Sequence, residues 1–221
     1  MYKSETRHAL YHAVKNHLSK PYKGMKPKEH QISHGKRVVE RRNHSALHAV
    51  RTASYIRVIS DAVSVYGDES HRAIIKGVDY EKMVGQLEVA AVFNITGREG
   101  EESSASPKYR EYRKSSAKNF VKYMSENTRV KKKLFANDEE MRKFAIDVIE
   151  YRGKLKEKTY NSLCSKILST AHDIDLSRCK DQKTMDSIAS RVDKMFSKQD
   201  RKRSVRKQIM KMADDAHSNT G

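Results

Sequence analysis

Apolar residues recur along the chain at spacings of three and four, which predicts a succession of helices. Leu10, Val14 and Leu18 mark a short helix over Glu5 to Leu18, stopped at Ser19-Lys20-Pro21. A surface loop is expected from Lys20 to Lys28, then an irregular approach through Glu29 to Arg37, with His30 and His34 as structural polar residues. The segment from Asn43 to about Val65 reads as a largely buried helix, with Leu47, Val50, Ile56, Val58, Ile59, Ala62 and Val63 around the cylinder and Asn43 as its cap. After a break at Tyr66-Gly67-Asp68, Tyr80 to Phe93 predicts a second buried helix through Met83, Val84, Leu87, Ala90, Ala91 and Phe93. An acidic, glycine-containing stretch follows, Asn94 to Glu102, either a loop carrying polar groups into a pocket or a solvated charge cluster. Ser103 to Pro107 reads as a polar linker.

Tyr109, Tyr112, Ser116, Phe120 and Tyr123 form an aromatic stripe at helical spacing, read as core, and Arg129 to Lys133 reads as a basic turn. Further amphipathic helices are expected over Asp138 to Glu150 and Tyr160 to Ala171, the latter ending in His172-Asp173-Ile174-Asp175. From Lys183 to Ala216 the pattern is amphipathic at first and then strongly basic, as in an exposed terminal helix.

Composition sharpens this into an all-α protein. Hydrophobic residues are 37% and charged residues 33%, with no Trp, 9 Gly and 3 Pro, a balance against turn-rich β architecture. The 221 residues allow one main domain. The expected division is an N-terminal helix and loop over 1–28, a helical domain over 29–182 and a basic C-terminal helix or tail over 183–221. The formal charge of +18, from 46 Lys and Arg against 28 Asp and Glu, should attract anions but names no partner. Cys164 and Cys179 make neither a metal array nor a disulfide framework, which points to a reducing compartment. No apolar run reads as a leader after Met1 or as a membrane span.

The chemistry centres on Asn43-His44-Ser45-Ala46-Leu47-His48-Ala49-Val50-Arg51. In a helix, His44, His48 and Arg51 share one face, and a polar stripe on a buried helix needs partners or a ligand. The His44–His48 spacing suits a helical zinc site, but Ser45 stands where an HExxH enzyme needs its glutamate. His172-Asp173 is the sole His-Asp pair, so no metal and no cofactor are expected. The non-metal option is phosphoryl chemistry by histidine, with one imidazole as nucleophile, a second as proton carrier and a carboxylate to orient a ring; the alternative, which the residues alone favour, is three unrelated polar side chains. His44, His172 and Glu99 would supply these parts, and Arg51 or Arg98 would stabilise phosphate charge.

The His44 segment resembles the Asn-His-Gly-Leu-x-His-x-x-Arg stretch of the phosphodiesterase domain of the SidE family of bacterial effectors. Ala90 to Glu99 is similar to that family's segment ending in Ala-Arg-Glu, and His172-Asp173-Ile174-Asp175 resembles its late His-Asp-x-Asp. The three occur in the family's order, over roughly Ile32 to Arg178. The resemblance implies a helical domain distantly like the HD hydrolases but working without metal. It would cleave the phosphodiester of ADP-ribosylated ubiquitin with release of AMP, or remove phosphoribosyl-linked ubiquitin from serine, as an effector secreted into a host cytoplasm. It further implies His44 as nucleophile, His172 as general acid and then base, Glu99 as the carboxylate holding a ring, and His48, Arg51, Arg98, Asn43 and Asp173 as substrate contacts. The partner implied is ubiquitin or another ADP-ribosylated or phosphoribosylated protein. The family's ADP-ribosyltransferase domain is not expected within this length, so the modified substrate would be made elsewhere.

Three departures stand out: Ser45 for glycine, Arg42 for proline, and Asn94-Ile95 for a His-Asp pair. The last supports a rival reading, a catalytically weakened scaffold that binds a nucleotide-bearing ligand or a host protein. A third reading, a nucleic-acid-binding helical protein, rests on the charge and predicts affinity falling steeply with salt.

Overall fold

The computed structural model describes residues 4–22, 28–32, 35–39, 44–100, 106–156, 158–177 and Lys211. Helix α1 (Ser4–Ala13) runs into a π-helical turn (Val14–Leu18). A hairpin of β1 (Lys28–Ile32) and β2 (Gly35–Val39) follows, then α2 (Ala46–Tyr66), α3 (Glu69–Lys76) and α4 (Tyr80–Phe93). After a loop come α5 (Pro107–Glu126), α6 (Thr128–Leu134) and α7 (Asp138–Phe144), which continues as a second π-helical segment (Ala145–Glu150) before α8 (Tyr160–Ser177). The domain is all-α, with one small hairpin.

The packing axis is α4 rather than α2. Every residue from Met83 to Phe93 is buried, because α2, α1, α5, α6 and α8 surround that helix. Its polar side chains are each given a partner: Gln86 donates to the Leu134 carbonyl at 2.5 Å and accepts from the Tyr160 hydroxyl, while Glu88 accepts from Thr6 at 2.7 Å. A buried polar group without such a bond would cost on the order of 1–3 kcal/mol. Phe93, Phe120, Tyr123, Phe135 and Phe144 form a run of ring contacts across the core with centroids 4.9 to 6.2 Å apart. Asp68, Asp79 and Asn137 start α3, α4 and α7 by accepting from backbone amides three residues on.

Several expectations are corrected. The stretch read as an irregular approach is an antiparallel hairpin with Lys28 opposite Val39 and Ile32 opposite Gly35; its cue was Ile32, Val38 and Val39 around a two-residue connection. Ser45 stands at the N-cap position without a side-chain capping bond and α2 begins at Ala46, so His44 lies just outside the helix instead of on its face, while Asn43, the expected cap, is outside the described residues. Leu47 and Val58 are 54% and 44% exposed, not core. The break after Gly67 contains α3, and the basic turn is α6. The last motif does not follow α8 but lies on it. Apart from the helical, exposed Lys211, the basic C-terminal segment is outside the described residues.

Candidate active site

Two elements distant in sequence create the site. Helices α2 and α8 pack side by side, and residues three or four apart on each present one face to the other. His48 and Arg51 on α2 both reach Asp175 on α8, a fully buried carboxylate. His48 Nδ1 lies 2.5 Å from Asp175 Oδ2, and Arg51 donates through Nε and, at 3.3 Å, through Nη2. Burial alone would raise the Asp175 carboxyl, but these bonds outweigh it and hold it below its ordinary value.

One turn before Asp175 on α8, His172 meets the same α2 face. Its ring centroid is 5.0 Å from His48 and 5.9 Å from His44, and His44 is 5.3 Å from His48. All three rings are at least 95% buried, with exposures of 5%, 0% and 3% for His44, His48 and His172. Asp173 Oδ1 stands 3.1 Å from His172 Nδ1. Burial, then the charges of Arg152, His48, His44 and Arg98, holds His172 well below the ordinary imidazole value, so it is neutral near pH 7.

His172 also lines a small cavity together with Asn94, Arg98, Tyr109, Arg113 and Arg152. The loop after α4 supplies Asn94 and Arg98, both buried. It can run this close to α5 because residue 97 is glycine: a Cβ there would stand 2.4 Å from the Tyr112 carbonyl and the Ser116 amide. Gly97 donates its own amide to Ser116 Oγ at 2.9 Å. Of the two readings of this loop, a carrier of polar groups fits residues 94 to 98. Arg98 lies over the rings of Tyr109 and Tyr112, 5.5 and 5.7 Å from their centroids. The aromatic stripe of α5 therefore divides: Phe120 and Tyr123 belong to the core, Tyr109 to the cavity.

Thus His44, His48 and His172 are brought together, Arg51 and Asp173 adjoin them, and Arg98 sits on the cavity side. Glu99 is exposed, and among the described residues no hydrogen bond joins it to these rings; the carboxylates in contact with them are Asp175 and Asp173. Asn43 lies outside the described residues. Sequence reasoning passed over Asp175, Tyr109, Arg113 and Arg152. Asp175 had a signal, since it stands three residues after His172 on a helical face, whereas the others were legible only as surface charge and core aromatics. Cys164 is no nucleophile: burial pushes its thiol up to about 12.

The fold and the buried histidine cluster define a helical domain of the phosphodiesterase class, and the chain belongs to the SidE phosphodiesterase family. Residues 21–221 match the SidE phosphodiesterase (PDE) domain. The chain is 26% identical over 185 residues to the ubiquitinating/deubiquitinating enzyme SdeA of Legionella pneumophila, covering 78% of this chain and 12% of that protein. This chain thus spans about an eighth of the curated relative's length. In fold it is similar to the C-terminal domain of lpg1496 from Legionella pneumophila in complex with nucleotide, at TM-score 0.74 and 20% identity over 97% of this chain and 83% of that one. A second lpg1496 structure gives TM-score 0.72 and 19% identity over 97% and 57% of the two chains. Among the described residues no helix is long and apolar enough to cross a membrane.

Proposed function

We propose that this domain is a histidine-dependent, metal-independent phosphodiesterase acting on ADP-ribosylated or phosphoribosyl-linked ubiquitin, as a secreted effector working in a host cytoplasm. The observation that supports it most is the buried cluster of His44, His48 and His172, with a carboxylate against His48 and another against His172. Three clustered, buried imidazoles are a costly arrangement for a structural role.

In this reading His44 attacks the phosphorus, the P–O bond to AMP breaks with the electron pair leaving on AMP, and a phospho-histidine forms. His172, neutral in the free protein, gains a proton once an anionic substrate offsets the neighbouring guanidiniums, and gives it to the leaving group. It then takes the proton of the water or serine hydroxyl that attacks the phospho-histidine. Asp175 fixes the His48 ring, and Arg51 is spent on Asp175 more than on substrate. Glu99 and Asn43 enter on the family resemblance alone.

Incubation with ADP-ribosylated ubiquitin, and separately with phosphoribosyl-serine-linked ubiquitin, tests this when AMP release and bond cleavage are read by mass spectrometry with and without chelator. Turnover lost in His44→Ala but unaffected by chelator is the expected result. A folded protein that turns over neither substrate would sink the enzyme reading in favour of a nucleotide-binding scaffold.

A further inference from the structure

Arg98, Arg113 and Arg152 are 6%, 5% and 7% exposed, so three guanidiniums are buried within one small region. Buried cations are ordinarily matched by carboxylates, and Arg113 and Arg152 are held in another way. Arg113 donates to two main-chain carbonyls, Ile149 at 3.2 Å and Arg152 at 2.5 Å, where the second π-helical segment ends. Arg152 donates to the Asn94 side-chain oxygen and, at 2.8 Å, to the Tyr109 hydroxyl. Arg98 donates to the Gly100 carbonyl at 3.1 Å. Among the described residues no carboxylate makes a salt bridge with Arg113 or Arg152; Glu150 acts on Arg113 only at longer range.

Three titrating groups register this positive field. Burial and the Arg152 charge pull Arg113 down to about 10. Arg152 above all, with Arg113 and Arg98, draws the Tyr109 phenol below its ordinary value against the effect of burial. His172 is lowered by burial and by the same Arg152 and Arg98. Asn94 adds a directional observation. A guanidinium only donates, so the amide must turn its oxygen to Arg152, which fixes the orientation of Nδ2. That donor is buried and has no hydrogen-bond partner among the described residues.

We propose that Asn94, Arg98, Tyr109 and Arg152 form an oxyanion subsite beside His172 that receives one oxygen of a phosphoryl group, with Arg113 as the positioning residue that fixes Arg152. The cavity has room for about 10 Å³, on the scale of the roughly 10–15 Å³ that a single water-sized atom needs. It therefore takes one phosphoryl oxygen and leaves the rest of the ligand outside. Arg113 does this by capping the two carbonyls at the end of the π-helical segment, which holds the main chain at Arg152 and aims that side chain back toward α4. The site deepens the phosphodiesterase reading, on which it rests for its choice of a phosphoryl ligand.

The test is binding of inorganic phosphate, AMP and adenosine to the full chain, read by calorimetry and by the His172 ring resonances during an NMR pH titration. Phosphate and AMP should bind and move the His172 titration upward, while adenosine should do neither. Arg152→Gln should weaken phosphate and AMP at least tenfold; Tyr109→Phe and Asn94→Ala should each weaken them several-fold and serve if Arg152→Gln does not fold. Anion binding equal to wild type in the folded variants, or an unmoved His172, would overturn the subsite. The two readings fail separately. Arg152-dependent phosphate binding without turnover of either ubiquitin substrate sinks the enzyme and leaves the subsite, whereas His44-dependent turnover indifferent to Arg152 does the reverse.

Discussion

The two sides of His172 solve the burial of charge in opposite ways. Toward α2, charge is matched by carboxylates: Asp175 binds both His48 and Arg51, and Asp173 lies against His172 itself. Toward α5 and the second π-helical segment, Arg113 and Arg152 are satisfied by carbonyls, an amide and a phenol, and positive charge remains. The first arrangement fixes ring orientation and tautomer, as proton transfer requires; the second stores a field that only an anion relieves. A proton-moving face and an anion-binding face thus share one residue, His172.

The sharpest way to separate the faces is to remove a ring. His44→Ala and His172→Ala should each lower AMP release by on the order of 10³-fold, the scale of lost nucleophilic or acid–base catalysis. Phosphate binding should survive His44→Ala, because His44 is not among the residues lining the arginine cavity. If His44→Ala abolished phosphate binding as well, the faces would be one site and the division would fall.

A blow aimed at the arginine side should act through stability instead. Gly97→Val puts side-chain atoms where a Cβ alone already meets α5 backbone at 2.4 Å, and neither strand of main chain can yield as a side chain would. Overpacking of this kind costs about 1–3 kcal/mol. A lower urea midpoint together with lost phosphate affinity is expected, and unchanged values of both would show that the loop does not depend on this close approach.

The two faces also differ in how far the sequence disclosed them. His44, His48 and His172 stood out because an imidazole in an apolar helical segment has few structural uses, and the α2 and α8 motifs carried the family resemblance. The succession of helices followed from spacing, although α3 and α6 were hidden by short length and high charge, and the hairpin by its modest β-propensity. Arg113 and Arg152 could not be told from the many surface Lys and Arg residues of a chain with 46 of them. What sets them apart is burial produced by the turn of main chain after the π-helical segment, and no local pattern encodes it. Tyr109 was assigned to the core because an aromatic at helical spacing looks the same whether it faces leucine or arginine.

A gentler change probes the carboxylate face. Asp175→Asn keeps the shape but removes the charge that holds His48 and Arg51, and Asp175 is fully buried. The loss should be about 1–3 kcal/mol, with turnover falling roughly tenfold as the His48 tautomer is freed. A folded variant with full activity would mean that His48 orientation is immaterial to the chemistry.

The smallest effect is a pH dependence of stability, and its sign follows from His172. In the unfolded chain this imidazole titrates near about 6.5; in the fold it is held well below that by burial, by Arg152, by the other two imidazoles and by Arg98. Between those two values the unfolded chain binds the extra proton, so stability is full above about pH 6.5 and falls as pH is lowered through the window. His12, also lowered by burial, adds a slope of the same sign, so His172→Asn should flatten the thermal-midpoint profile without levelling it. Asp175, with its carboxyl held low, acts only at more acidic pH: its contribution is present above the ordinary carboxylate value and lost as pH falls through the folded one. Saturating inorganic phosphate should flatten the His172 part of the wild-type profile too, because an anion beside Arg152 lets that ring accept its proton in the fold. A profile whose slope ignores both the His172 substitution and phosphate would mean that the arginine field does not reach the ring, and the two faces would no longer meet at His172.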